Sequence, residues 1–297
     1  MFLPFNNAEE KVFKNQVIWV TGASAGIGAM LAKDFAVSGA NIIISARRQE
    51  QLDEVAKECK SLGAKEVTVL PLDVLNYDNQ QVVYNQIIQK YGKIDIAVLN
   101  PGRTQRGMAL DTSLEDTQKL MELNFISFVS LTKIITPNMI KQGSGSLVVI
   151  SSISGKMGTP LSSTYSASKW AIHGYYDGLR AEYSSKGLHV LLVCPGPVVS
   201  EITKHGISGE GKSINTDEGV KMPTSRCTEL TLKAIKYKFD EVWISTQPFL
   251  FITYLSQYTP EIARFLFKFV FGPARVNAYE TGGNVFDVKE ALSFIWK

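Results

Sequence analysis

The chain is poor in the residues that build metal centres and covalent staples: three cysteines and three histidines occur in 297 residues. Cys59, Cys194 and Cys227 are odd in number, far apart and without metal-ligand spacing, which argues against a disulfide framework or a zinc module. His173, His189 and His205 have no metal or nucleophile partner in sequence, so each is read as structural, with His205 also placed to touch substrate. No metal is expected. The net charge of +3 is small and spread out, and no dense Lys/Arg run interleaves with aromatics, so nucleic acid is not an expected partner. No apolar run reaches the roughly twenty residues that span a bilayer, and the opening M-F-L-P-F is too short for a signal peptide. Asn-x-Ser/Thr sequons, internal repeats and Pro/Ser-rich linkers are also absent. What remains, at 45% hydrophobic and 20% charged, is an ordinary globular chain long enough for one large α/β domain with extensions.

Two stretches carry chemistry. In the first, the β-rich run Gln16 to Val20 leads into T-G-A-S-A-G-I-G and then a helical pattern through Leu31 and Phe35. Gly22, Gly26 and Gly28 therefore sit between a strand and a helix. Glycine there permits a tight turn and close backbone approach, and the helix N-terminus offers free N–H groups to a phosphate. In the second, Tyr165 and Lys169 stand four apart on a proline-free segment, which puts phenol and ammonium on one helical face. A nearby cation favours phenolate and lowers the tyrosine pKa, making Tyr165 a candidate acid/base. Ser152 follows the apolar run L-V-V-I, read as a buried strand whose end would offer a hydroxyl to a substrate oxygen.

The pattern T-G-x-x-x-G-x-G with Ser, Tyr and Lys downstream resembles the short-chain dehydrogenase/reductase superfamily in its compact single-domain form. That resemblance implies a Rossmann-like, doubly wound α/β fold: a mostly parallel seven-stranded sheet with helices on both faces. It also implies a tetrad, with Asn124 inside a long helix (Gln118 to Lys141, broken only by Pro137) joining Ser152, Tyr165 and Lys169. Ser152 and Tyr165 would bind substrate; Lys169 would hold the cofactor ribose; the Asn124 carbonyl, through a helix distortion, would hold a water. Ser24 and Ile27 join the glycines as cofactor contacts. Asp73 and Val74 fall where the family meets the adenine, although Asp73 also reads as a helix cap. Asn100 and Gly102 match the family turn, with Pro101 departing from its usual middle residue and removing an N–H. The run Pro195, Gly196, Val198 and Ser200 matches the segment that holds the nicotinamide carboxamide.

The second strand, N-I-I-I-S, ends without the acid that binds the ribose hydroxyls of NAD; Arg47 and Arg48 follow instead. A guanidinium pairs with a phosphate in bidentate fashion, so NADP(H) is favoured over NAD(H), with Arg47 the better candidate. The expected division is an N-terminal extension 1–15, a catalytic domain 16–247 with a substrate lid at about 201–222, and a C-terminal apolar helical extension 248–297. In that extension Pro260 and the charges Glu261, Arg264 and Lys268 break up a stretch dense in Phe, Leu and Tyr. It reads either as a cover for the substrate cleft or as a peripheral membrane contact through 249–271. The segment 221–260 is similar to a microsomal subgroup of retinoid and steroid carbonyl reductases. This implies a hydrophobic substrate and a peripheral location at the endoplasmic reticulum membrane, with cytoplasmic as the alternative. The long helices bearing Asn124 and Tyr165 resemble those that pair in family homodimers. The expected activity is an NADPH-dependent carbonyl reductase or alcohol dehydrogenase. The alternative is a non-catalytic NADP-binding sensor or membrane adaptor, which would keep the glycines without needing Ser152; the glycine spacing disfavours a sugar-nucleotide epimerase.

Overall fold

Five-residue runs such as Val17–Thr21 and Asn41–Ser45 are buried at every position, as strands must be when helices cover both faces of their sheet. The computed structural model describes residues 11–200, the backbone of 207–208, and 221–285. Seven strands form one sheet: β1 (Val17–Thr21), β2 (Asn41–Ser45), β3 (Glu66–Val69), β4 (Ile96–Leu99), β5 (Gly145–Ile150), β6 (Leu188–Pro195) and β7 (Glu241–Ile244). Their order is β3-β2-β1-β4-β5-β6-β7 and every pairing is parallel. The expected mostly parallel sheet is wholly parallel. Strand order reverses between β1 and β4, and ligands of such sheets bind in the crevice at that point.

Helices α1 (Gly26–Val37), α2 (Gln49–Ser61), α3 (Tyr77–Tyr91), α4 (Leu114–Lys141), α5 (Ser163–Tyr183) and α6 (Thr224–Lys236) flank the sheet. On one face Leu31 and Phe35 of α1, Leu52 of α2 and Leu232 of α6 pack on Ile18, Ile42 and Leu191. On the other, Ile87 of α3, Phe128 and Leu131 of α4 and Ile172 of α5 pack on Trp19, Ile43 and Val149. Each large apolar side chain buried this way contributes roughly 1.5–3 kcal/mol. Helix α4 is long and apolar enough to cross a membrane, but its buried face is the one that covers this sheet. Pro137 lies inside it without ending it. The helix also starts earlier than expected, because Ser113 caps it by accepting from the amide of Asp116 at 3.0 Å.

The domain boundary also differs from expectation. Phe13, placed in the N-terminal extension, is 2% exposed and packs edge-on against Phe35 at 5.0 Å, so the core begins before residue 16. β3 ends at Val69, before Pro71, so Asp73 and Val74 lie beyond the strand.

The C-terminal segment folds as α7 (Phe249–Tyr258), α8 (Pro260–Leu266), a π turn (Phe267–Phe271) and α9 (Gly272–Thr281). Its inner side chains Phe249, Ile252 and Phe267 pack on Ile153, Met157 and Cys194, while Ala278 packs on Leu161. Phe251, Tyr258, Ile262, Phe265 and Phe269 face outward, more than half exposed. The segment therefore has an inner side packed on the domain and an outer side of exposed aromatics. Around Lys268, Phe265 and Phe269 are exposed, while Leu266 and Val270 are half-buried. His205 and most of the proposed 201–222 lid lie outside the described residues, as do residues 1–10 and 286–297.

Candidate active site

The glycine turn is built for close approach. Gly22 has φ +66°, and Asn100 Nδ2 donates to its carbonyl at 2.9 Å, tying the turn after β1 to the turn after β4. A side chain at Gly28 would put a Cβ 2.6 Å from Asn100 Nδ2, and nearer still to the Gly22 carbonyl. Helix α1 starts at Gly26 with Ala25 as its N-cap and no side-chain cap, which leaves its first N–H groups available to a ligand. This cradle fits a dinucleotide pyrophosphate. Pro101, the departure from the family pattern, sits beside Gly22 in the space a Cβ there would need, so the turn keeps its shape without that N–H. Gly102 lies opposite Asn124.

After β2, Arg47 and Arg48 are both exposed, and Arg48 Nη2 donates to Ser24 Oγ of the glycine turn at 3.2 Å. Arg48 thus reaches the glycine turn, beside the Arg47 that sequence reasoning favoured. Asp73 accepts from the Leu75 amide at 3.1 Å within a turn; the cap of α3 is Asn76 instead. Val74 is buried beside it, its carbonyl accepting from Gln80 at 2.6 Å.

Asn124 is fully buried in a π turn, Glu122–Ile126, inside α4. The expected helix distortion is present. Its side chain accepts from the Arg103 amide and donates to the Arg103 carbonyl, each at 3.0 Å, and donates to Ser168 Oγ of α5 at 3.0 Å. Ser152 follows β5 by two residues; its Oγ accepts from the Ser154 amide at 3.1 Å and donates to the Pro195 carbonyl at 3.3 Å. Tyr165 and Lys169 both lie on α5, 8% and 3% exposed. Lys169 Nζ donates to the Ile150 carbonyl at 3.0 Å and lies 5.8 Å from the Tyr165 ring centre.

The electrostatics correct one expectation. Burial raises the Tyr165 phenol, opposed by its hydrogen bond to Ser152 and by the Arg106 guanidinium. Burial outweighs the cations, so the phenol lies above rather than below its ordinary range, and Arg106 joins Lys169 as a cation beside it. Burial pushes Lys169 itself down to about 8. Arg106 is held by hydrogen bonds from Nη1 to the Gln105 carbonyl at 3.0 Å and to Ser162 Oγ at 2.6 Å, next to the start of α5. Sequence reasoning missed it: a lone arginine carries no spacing signal. It also missed Arg275 of α9 and Phe249 of α7, which complete the cavity from the far end of the chain.

A cavity of about 150 Å³ joins these groups. Asn100, Ser152, Tyr165, Lys169 and Gly196 line it together with Arg106, while Ile153, Met157 and Phe249 give it an apolar wall. Asn124 stands just behind, in contact with the 100–103 turn. Pro195, Val198 and Ser200 also line it, Gly196 being fixed by donating to the Ile244 carbonyl at 2.8 Å. As expected, His189 is structural, its Nε2 3.0 Å from the Phe239 carbonyl.

The short chain dehydrogenase family model matches residues 16–210. Human dehydrogenase/reductase SDR family member 7 is 42% identical over 275 residues, covering 90% of this chain and 81% of its own. Among solved structures, an alcohol dehydrogenase from Thermococcus sibiricus complexed with 5-hydroxy-NADP is similar in fold, with a TM-score of 0.69, 22% identity, and coverage of 79% of this chain and 97% of its own. A short-chain dehydrogenase/reductase from Burkholderia phymatum, in complex with NAD, has a TM-score of 0.72 and 19% identity, covering 93% and 98%. With its sequence matched across most of its length and a seven-stranded parallel sheet carrying the glycine turn, this chain belongs to the short-chain dehydrogenase/reductase family of oxidoreductases.

Proposed function

We propose that the chain is an NADP(H)-dependent carbonyl reductase or alcohol dehydrogenase for hydrophobic, retinoid- or steroid-like substrates. The observation that carries this reading is the meeting of Ser152, Tyr165 and Lys169 in one apolar-walled cavity beside the glycine cradle, with Asn124 behind it. A mere sensor needs the cradle but no hydroxyl pair aimed at a common point.

The nicotinamide supplies or accepts the hydride when the cofactor is bound. Gly22, Ser24, Gly26, Ile27 and Gly28 would hold its pyrophosphate side, Arg48 with Arg47 the 2′-phosphate, and Asp73 with Val74 the adenine. Asn100, Gly102, Pro195, Gly196, Val198 and Ser200 would hold the nicotinamide half. In reduction the substrate oxygen gains negative charge. Ser152 and Tyr165 donate hydrogen bonds to that oxygen, and the Tyr165 phenol delivers the proton. Lys169 and Arg106 then stabilise the phenolate left behind. Asn124 holds the 100–103 turn and α5 in register, and its carbonyl anchors a water through which the phenol is reprotonated. The apolar wall excludes bulk water from the reacting carbon.

The catalytic unit is read as 16–247 and the 248–297 segment as its cover. The exposed aromatics of 249–271, with Arg264 and Lys268 among them, suit a bilayer surface, which supports a peripheral location on the endoplasmic reticulum membrane. Outward-facing Ile126 and Trp170 on α4 and α5 suit a homodimer interface, open to test by a mass measurement in solution.

The deciding experiment follows NADPH absorbance with purified protein and a panel of retinal, steroid, quinone and aromatic carbonyls, beside Tyr165→Phe. Turnover lost in the variant supports a reductase. Tight NADPH binding with no turnover on any member favours the sensor.

A further inference from the structure

Tyr165, Lys169 and His173 follow one another at four-residue spacing, so α5 presents all three on one face. Lys169 reaches the Ile150 carbonyl; His173 reaches the next residue, its Nε2 3.0 Å from Ser151 Oγ. The turn that follows carries Ser152 and ends at Lys156. Lys156 Nζ pairs with Glu241 Oε2 of β7 at 2.8 Å, and His173 Nδ1 lies 3.3 Å from that same oxygen, off the line of a good hydrogen bond. Trp243 Nε1 holds the other carboxylate oxygen. The four side chains Ser151, His173, Glu241 and Lys156 therefore close a loop around residues 152–155. Packing reinforces it: a Cβ at Gly155 would lie 2.6 Å from His173 Cδ2.

His173, Cys194 and Glu241 also bring potential metal-ligand atoms within 4.8 Å of one another. Their chemistry argues against one shared ion. Nε2 faces the Cys194 sulfur at 3.6 Å while Nδ1, on the opposite ring edge, faces the carboxylate. The carboxylate already holds an ammonium, and burial keeps the Cys194 thiol protonated.

We infer that His173 is a positioning residue: braced by Glu241 and Lys156, it clamps Ser151 so that the neighbouring Ser152 hydroxyl stays aimed at the substrate oxygen. The clamp extends outward, because Gln257 of α7 donates to the Lys156 carbonyl at 2.6 Å and so couples the C-terminal cover to the catalytic serine. This rests on the reading of Ser152 as catalytic.

The test uses the full chain, NADPH and 9,10-phenanthrenequinone as the probe carbonyl. Misplacement of a catalytic group by about 1 Å costs up to about a hundredfold in rate. His173→Leu is expected to lower kcat by about ten- to a hundredfold while NADPH affinity stays within about twofold. His173→Gln, which retains a polar nitrogen toward Ser151, restores most of the rate. Ser151→Ala lowers kcat in the native background and adds little in the His173→Leu background, as for residues acting as one unit. Glu241→Gln serves where His173→Leu fails to fold, with a several-fold loss of kcat expected. Native kcat in His173→Leu, or in Glu241→Gln in its stead, overturns the clamp, as does full additivity with Ser151→Ala. Ser152→Ala runs beside them: retained turnover there sinks the catalytic reading itself, whereas abolished turnover with native kcat in His173→Leu sinks the clamp alone.

Discussion

Asn124 and Arg103 exchange two hydrogen bonds, the side-chain oxygen of one taking the amide of the other and the side-chain nitrogen returning to its carbonyl, each at 3.0 Å. The pairing mimics a strand register with a side chain. It welds the turn that follows β4 to the middle of a helix, and through Ser168 to the helix of Tyr165. One amide group thus joins the 100–103 turn to both helices, and the charged groups around the cavity can be tested separately.

Lys169 lies in a place that opposes its charge. Its folded pKa of about 8 is below the roughly 10.4 of an unfolded lysine. Between those values the unfolded chain binds the extra proton, so stability from this group rises with pH across that window and is lowest below about 8. Lys169→Met should abolish turnover yet raise stability at neutral pH by up to about 3 kcal/mol. Denaturant titrations at pH 7 and pH 10 check this; a variant less stable than the parent at pH 7 refutes it.

Arg106 opposes the burial of Tyr165. Arg106→Gln should move the phenol further up, so that alcohol oxidation, which needs phenolate, reaches half-maximal rate at a higher pH. An unmoved pH–rate midpoint would assign Arg106 to substrate contact only.

Gly28→Ala puts a methyl against the Gly22 carbonyl and Asn100. We expect a loss of about 1–3 kcal/mol in stability from the overpacking and a larger loss of NADPH affinity, measured by fluorescence titration. Native affinity would show that the cradle tolerates a Cβ.

Arg48→Glu removes the guanidinium that reaches Ser24 and supplies an acid for ribose hydroxyls. The ratio of NADPH to NADH specificity, as kcat/KM, should fall by at least about tenfold, a difference of roughly 1.4 kcal/mol. An equal ratio in parent and variant would place the phosphate elsewhere.

The sheet was legible because buried parallel strands read as unbroken apolar runs, and N-I-I-I-S marks β2 to the residue. The glycine turn and the Tyr-x3-Lys pair were legible because their chemistry depends on local spacing. Arg106, Arg275 and the Ser151–Glu241 loop were not, since they meet only when distant segments pack, and a single arginine or glutamate has no period to reveal it. His173 was a near miss: its four-residue offset from Lys169 was visible, but its partner Glu241 lies 68 positions further on. The cover was half legible. Its apolar density was plain, but composition does not say which aromatics turn inward.

The π turn at Glu122–Ile126 holds one residue more than a regular coil of the same rise. An α-helix turns by about 100° per residue, so the surplus residue sets the facing of Leu114–Met121 against that of Ser127–Lys141. Deleting any single residue within the turn would make a more regular helix and a worse protein, because one half would rotate out of its packing. The length of this helix is therefore fixed as tightly as its composition.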